Sequence, residues 1–155
     1  LIIAETKHGF ICANAGVDRS NAGPDTMILL PEGPDRSARR IKRRIDHEFD
    51  VTVAVIVSDT FGRPWRRGLT DVAIGLAGME PILDLKGTTD ASGRELDVTE
   101  IAGGGKGSWG RVAAADLVMG KSSNVPAALI RGFDFSPAEG TVGEMIRPVG
   151  EDLFR

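Results

Sequence analysis

Six of the seven residues from Val51 to Val57 (VTVAVIV) are β-branched, and the run ends abruptly on Ser58-Asp59-Thr60. Branched side chains lose rotamer freedom in a helix and pack well on a pleated surface, so a run this short is a strand. With only Thr52 to interrupt it, both faces are expected to be buried. The chain then passes through Gly62 and Pro64 and places Arg63, Arg66 and Arg67 within five positions. A buried strand that ends on a carboxylate and a hydroxyl, next to a basic turn, sets the rest of the chain around it.

The core must be built without many rings. The 155 residues include six Phe, two Trp and no Tyr, so Val, Ile, Leu and Ala carry it. At 41% hydrophobic and 26% charged, the chain suits one compact globular domain. A net charge of −3 argues against a sequence-independent nucleic-acid binder. No apolar run is long enough to span a membrane, and no signal peptide is visible. The single cysteine, Cys12, permits no internal disulfide, which fits a reducing cytoplasm; its expected role is a small core residue. The chain opens on Leu1, already strand-like, so a preceding segment is expected to be missing.

Along the chain, Leu1–Ile3, TMILLP (26–31), PILDLKG (81–87) and VPAALIRG (125–132) read as strands, and GFICANAG continues the apolar theme. Asp35 offers a helix N-cap, followed by Ala38, Ile41, Ile45 and Phe49 at helical spacing, with the arginines and Lys42 on the other face. LTDVAIGLAGM (69–79) reads as a helix packed tightly through Ala and Gly, and VAAADLVM (112–119) is also helical in composition. TTDASGRELDVTEI is a hairpin or polar loop entering a strand, and a short helix is expected around Thr141–Ile146. No repeat or linker divides residues 1–155. The expected class is α+β: a mixed sheet with packed helices.

Asp18 and Asp59 each follow an apolar stretch. Carboxylates brought together by strand ends suit Mg²⁺ or Mn²⁺, since hard cations take oxygen ligands, and Thr60 would add a hydroxyl beside Asp59. Asp is equally a turn former or cap, and spacing alone favours that role. Gly120-Lys121-Ser122 has the tail of a phosphate-binding loop, but Ala115 stands where its first glycine belongs, so Lys121 is left as a phosphate contact or a solvated lysine. The glycine-rich 103–108 matches no phosphate-loop pattern and reads as a flexible loop. His8 and His47 lack partners at zinc spacing.

Taken together, KHGFICANAGVDRSN, VSDTFGRPWRRGLTDVAIGLAGMEPILDLKG, GRELDVTEIA and AADLVMGKSSNVPAALIRG resemble, in order and over nearly the whole chain, the coenzyme F420-0:γ-glutamyl ligase family. The resemblance implies that family's own α+β fold, a homodimer in the cytoplasm, and a GTP-dependent ligase. Such an enzyme joins L-glutamate to coenzyme F420-0 through an acyl phosphate and then adds a γ-linked glutamate to F420-1. It implies Mg²⁺ or Mn²⁺, two ions, held by Asp18, Asp59, Thr60 and Asp116, the last a position where the family more often carries Glu. Asn21 would contact GTP, the segment Ala114, Ala115, Asp116, Leu117, Val118, Met119, Gly120 and Lys121 would lie along the nucleotide, and Arg63 would meet a substrate or phosphate.

The chain departs from the family pattern in two places. The resemblance leads one to expect a further segment before HGF, so that residues 1–155 are expected to be a partial ligase domain, and GGGKGSWGR stands in place of an alanine-rich acidic run. RPVGEDLFR resembles the point where actinobacterial relatives run on into a reductase domain. Two rivals accompany the ligase: a non-catalytic fragment of the same fold, and a metal-dependent phosphohydrolase using the same oxygens. Neither nucleic acid nor membrane is an expected partner.

Overall fold

The structure is a computed structural model that describes residues 2–20, 22–62, 67–102, 115, 117–120 and 122–152. Its strands are β1 (Ile3–Glu5), β2 (Ile11–Ala13), β3 (Val55–Gly62), β4 (Leu69–Ala77), β5 (Ile82–Asp84) and β6 (Glu100–Ala102), with one long helix, α1 (Pro34–Phe49). They pair as three antiparallel ribbons, β1 with β2, β3 with β4, and β5 with β6. The class is α+β as expected, but among the described residues the single mixed sheet is replaced by these separate antiparallel pairs.

The β3–β4 ribbon is the centre of the molecule. The segment 69–79 is its second strand and not a helix. Val72, Ile74 and Leu76 alternate with smaller residues at a period of two, and Asp71 to Ala77 are all buried. Covered on both faces, β4 gathers two apolar clusters. One joins Cys12, Phe61, Val72 and Ile74, and the other Ala73, Leu76, Met79 and Val142. Each buried Val, Ile, Leu, Phe or Met among them contributes roughly 1.5–3 kcal/mol, so this ribbon outweighs any other described element. Phe10 sets its ring edge against Phe61 with centroids 5.8 Å apart, tying the β1–β2 ribbon to the first cluster.

β3 begins at Val55, four residues later than expected, and runs through Ser58-Asp59-Thr60 to Gly62. The polar triplet therefore lies inside the strand. β3 is only half-buried up to Thr60; the fully buried strand is its neighbour. The ladder carries one irregularity. Val57 pairs with Gly75 but Ser58 pairs with Ala73, so Ile74 is an extra residue, a β-bulge.

α1 is entered through Gly33 as N-cap and Pro34 in its first turn, where the missing N–H of proline costs nothing. Asp35 is not the cap. Its Oδ1 accepts from the backbone N–H of Leu76 at 2.8 Å and of Val142 at 3.2 Å, joining helix, ribbon and the 3-10 turn Val142–Met145. The expected apolar stripe is only partly used: Ala38 is fully buried, while Phe49 is 68% exposed. Lys42 was expected on the wet face, yet its stem covers Gly78 and its ammonium pairs with Asp46, whose other oxygen accepts from Val53 N–H at 3.1 Å. That lysine holds the Asp46 carboxyl below its usual range, against a smaller opposing pull from desolvation.

Replacing Asp35 by Ala strands two backbone donors. Asp35→Ala is expected to cost about 2–4 kcal/mol in urea unfolding, as loss of two charge-assisted bonds implies. A loss below about 0.5 kcal/mol, the range of an ordinary surface change, would show the joint to be incidental.

Two further expected strands are not formed. Residues 125–132 form no strand, and Leu129 stays 73% exposed. TMILLP contributes only a bridge between Ile28 and Asp18. The expected C-terminal helix is the 3-10 turn Val142–Met145, closed by a capping box between Thr141 and Glu144. No described helix is long and apolar enough to cross a membrane.

Candidate active site

β3 presents its polar triplet on two faces, because successive strand side chains point to opposite sides. Ser58 and Thr60 share one face with Asp71, which lies directly across from Thr60 on β4. Thr60 Oγ1 donates to Asp71 Oδ1 at 2.8 Å, and Ser58 Oγ donates to Oδ2 at 3.2 Å. Asp59 lies on the other face, opposite Val72. One of its oxygens accepts from Thr60 N–H at 2.8 Å, which fixes the carboxylate against its own backbone. The Thr60 hydroxyl, expected beside Asp59, is thus turned away from it and held by Asp71.

β2 packs against β3 and brings Cys12 to the Asp59 face. Burial, then the negative charge of Asp59, push the Cys12 thiol up, against a smaller lowering by a hydrogen bond from the Gly16 backbone. Cys12 is accordingly a buried, protonated core residue, as expected, and no thiolate competes at this face. Gly16 has φ +73 and a Cβ there would stand 2.7 Å from Leu30 Cδ1, so only glycine lets the turn close this tightly. Two residues on, Asp18 is held by its backbone bridge to Ile28, and its Oδ1 accepts from Ser20 N–H at 2.8 Å. The turn chemistry read in Asp18 is therefore present.

Among the described residues no group of three or more His, Cys, Asp or Glu gathers as a metal cluster. Of the expected cation ligands that are described, Asp18 and Asp59 carry carboxylate oxygens, the donor type hard cations such as Mg²⁺ and Mn²⁺ take, while the Thr60 hydroxyl is committed to Asp71. Ala115 and Leu117–Met119 are helical as expected, and Leu117 is 87% exposed. Gly120 follows with φ +31, its carbonyl accepting from Ser123 Oγ at 2.9 Å. Asn21, Arg63, Ala114, Asp116 and Lys121 lie outside the described residues, as do Arg66 and the glycine-rich 103–108. A cleft of about 270 Å³ is lined by Phe10, Ile11, Val72, Met145, Ile146 and Asp152, and Asp59 is not among its lining residues.

Residues 1–132 match the family described as F420-0:Gamma-glutamyl ligase. The chain belongs to that family. It is 44% identical to the Coenzyme F420:L-glutamate ligase of Methanothermobacter thermautotrophicus, over 99% of this chain and 61% of the relative. The proteins of the same name from Methanopyrus kandleri and Methanocaldococcus jannaschii are 44% and 43% identical, again over 99% of this chain. The chain spans about three fifths of the length of these relatives: 61%, 62% and 60%. The family match encloses both faces of the polar triplet, the turn before Asp18 and the helical residues before Gly120. Asp71 is the residue at this centre that spacing did not single out. The signal was available: it is the lone acid in an alternating apolar strand, and it pairs with the triplet once 69–77 is read as β4.

Proposed function

We propose that the chain is the ligase part of an enzyme that joins L-glutamate to coenzyme F420-0, and then to F420-1 by a γ-linkage, at the expense of GTP. The observation that carries this is the 44% identity, over 99% of the chain, to proteins named for that ligation. In this reading Asp59 of the polar triplet offers a carboxylate oxygen to the reaction. In this reading a carboxylate oxygen of the acceptor attacks the γ-phosphorus of GTP, GDP leaves, and an acyl phosphate forms. The amine of glutamate then attacks the acyl carbon, phosphate departs, and the nitrogen gives up its proton as the amide forms. Divalent metal, when bound, neutralises charge developing on the phosphoryl oxygens.

The chain's own residues have distinct parts in this. Asp59, fixed on its strand, and Asp18, on the turn beyond Gly16, offer hard oxygens, with Asp116 and an oxygen of Thr60 completing the set. Asn21 and residues 114–121 follow the nucleotide, and Arg63 meets an anionic group. The thiol of Cys12 takes no part; no covalent enzyme intermediate is required. A cytoplasmic homodimer belongs to the same reading.

The deciding experiment incubates the full-length protein with GTP, Mn²⁺, glutamate and F420-0 and follows mass and phosphate together. A gain of one glutamyl unit for each phosphate released is the expected result. Phosphate without that gain would make the protein a phosphohydrolase. Failure to bind GTP with Mn²⁺ in calorimetry would make it a non-catalytic member of the family.

A further inference from the structure

Asp71 is a buried acid that the roles above leave unused. It is 5% exposed and its carboxylate meets two hydroxyls, Thr60 Oγ1 at 2.8 Å and Ser58 Oγ at 3.2 Å. Among the described residues no cation pairs with it. Burying a carboxylate on two neutral donors is a poor route to stability, and apolar side chains of similar size serve that purpose better. What the arrangement does achieve is positional. The two hydroxyls belong to the residues on either side of Asp59, and each is tied to a different oxygen of one carboxylate. The backbone of 58–60 is thereby pinned to β4 by side chains as well as by the ladder. A strand fixed at both flanking residues fixes the side chain between them, which emerges on the opposite face.

We propose that Asp71 is a positioning residue that clamps Ser58 and Thr60 from one face of the ribbon so that Asp59 is aimed from the other. This rests on the metal role given to Asp59 above. It assigns the Thr60 side chain to the clamp: the hydroxyl donates to Asp71, and any oxygen that Thr60 gives to a cation on the Asp59 side is the main-chain one. Outer groups of this kind change cation affinity by about 10–100-fold when removed.

The test is Mn²⁺ binding to the metal-free full-length protein by calorimetry, with thermal unfolding in EDTA measured alongside. Asp71→Asn keeps the shape of the side chain and removes its charge. It is expected to weaken Mn²⁺ binding by about tenfold while unfolding in EDTA at the parental temperature. Thr60→Val, which breaks the clamp from the other side, should weaken binding to a similar extent. The double variant should be no worse than the weaker-binding single one, because both act through one contact. Parental affinity in Asp71→Asn overturns the clamp. So does a Thr60→Val variant that loses Mn²⁺ as completely as Asp59→Asn, since the hydroxyl would then itself be a ligand. If Asp71→Asn fails to fold, Thr60→Val alone decides between these outcomes. A parent protein that binds no Mn²⁺ overturns the metal reading of the site, and the clamp's purpose with it; parental binding with an unaltered Asp71→Asn overturns the clamp alone.

Discussion

Asp59→Asn is expected to lower GTP-dependent glutamate addition by about a thousandfold or more while leaving the fold intact. The size follows from the chemistry. Charge develops on phosphoryl oxygens, and a cation held by this carboxylate supplies several kcal/mol there, with each 1.36 kcal/mol worth about tenfold in rate. The fold survives because Asn keeps an oxygen to accept the Thr60 N–H bond made at 2.8 Å. Replacing a carboxylate by an isosteric amide that keeps this bond is expected to move stability by no more than about 1 kcal/mol. Steady-state rates with saturating GTP and Mn²⁺, paired with thermal unfolding, provide the check. Turnover within about threefold of the parent would correspond to under 1 kcal/mol and would remove Asp59 from the site.

The second large effect is structural. Gly75→Ala places a methyl group 2.4 Å from the Pro34 carbonyl carbon and 2.7 Å from its oxygen. The obstacle is backbone at the start of α1, which cannot swing aside as a side-chain tip would. The helix must lift from β4, breaking the Asp35 bonds to Leu76 and Val142 as it goes. Overpacking costs about 1–3 kcal/mol by itself, and the lost joint adds to it, so a loss of about 3–5 kcal/mol is expected. For a domain of this size that is a fall of roughly 10 °C in melting temperature. A variant that melts within about 2 °C of the parent would mean that α1 docks less tightly than these distances require.

Much of this was legible in the chain, and the reasons for the misses are physical. α1 announced itself through Ala38, Ile41, Ile45 and Phe49, although periodicity does not say how far along its length a helix is covered. The triplet at 58–60 was visible as chemistry, but its placement was misjudged. Polar residues mark a strand end in sequence terms, yet one face of a half-buried strand accepts them. β4 was misread because Ala and Gly suit tight helix packing. Here they make room for α1, while large residues recur at every second position, Val72, Ile74 and Leu76, with the bulge turning Leu76 to the other cluster. Asp71 disappeared into that misreading, since a residue's partner across a ribbon is known only once both strands are. The family resemblance was plain from the motifs in series, whereas the opposite facing of Asp59 and Thr60 required the pairing register.

The extra residue at Ile74 bears on how this centre could change over time. In an unbroken ladder with Ser58 still opposite Ala73, Val57 would meet Ile74 and Val55 would meet Leu76. A bulky side chain would then occupy the spot where glycine now admits Pro34. The bulge separates the ribbon into two halves whose phases are set independently. At one end the chain is free to choose which oxygens look outward, and at the other it keeps a flat seat for the helix. Substitutions that retune the polar half therefore need not be matched by repacking beneath α1, and the seat can be remodelled without re-aiming Asp59.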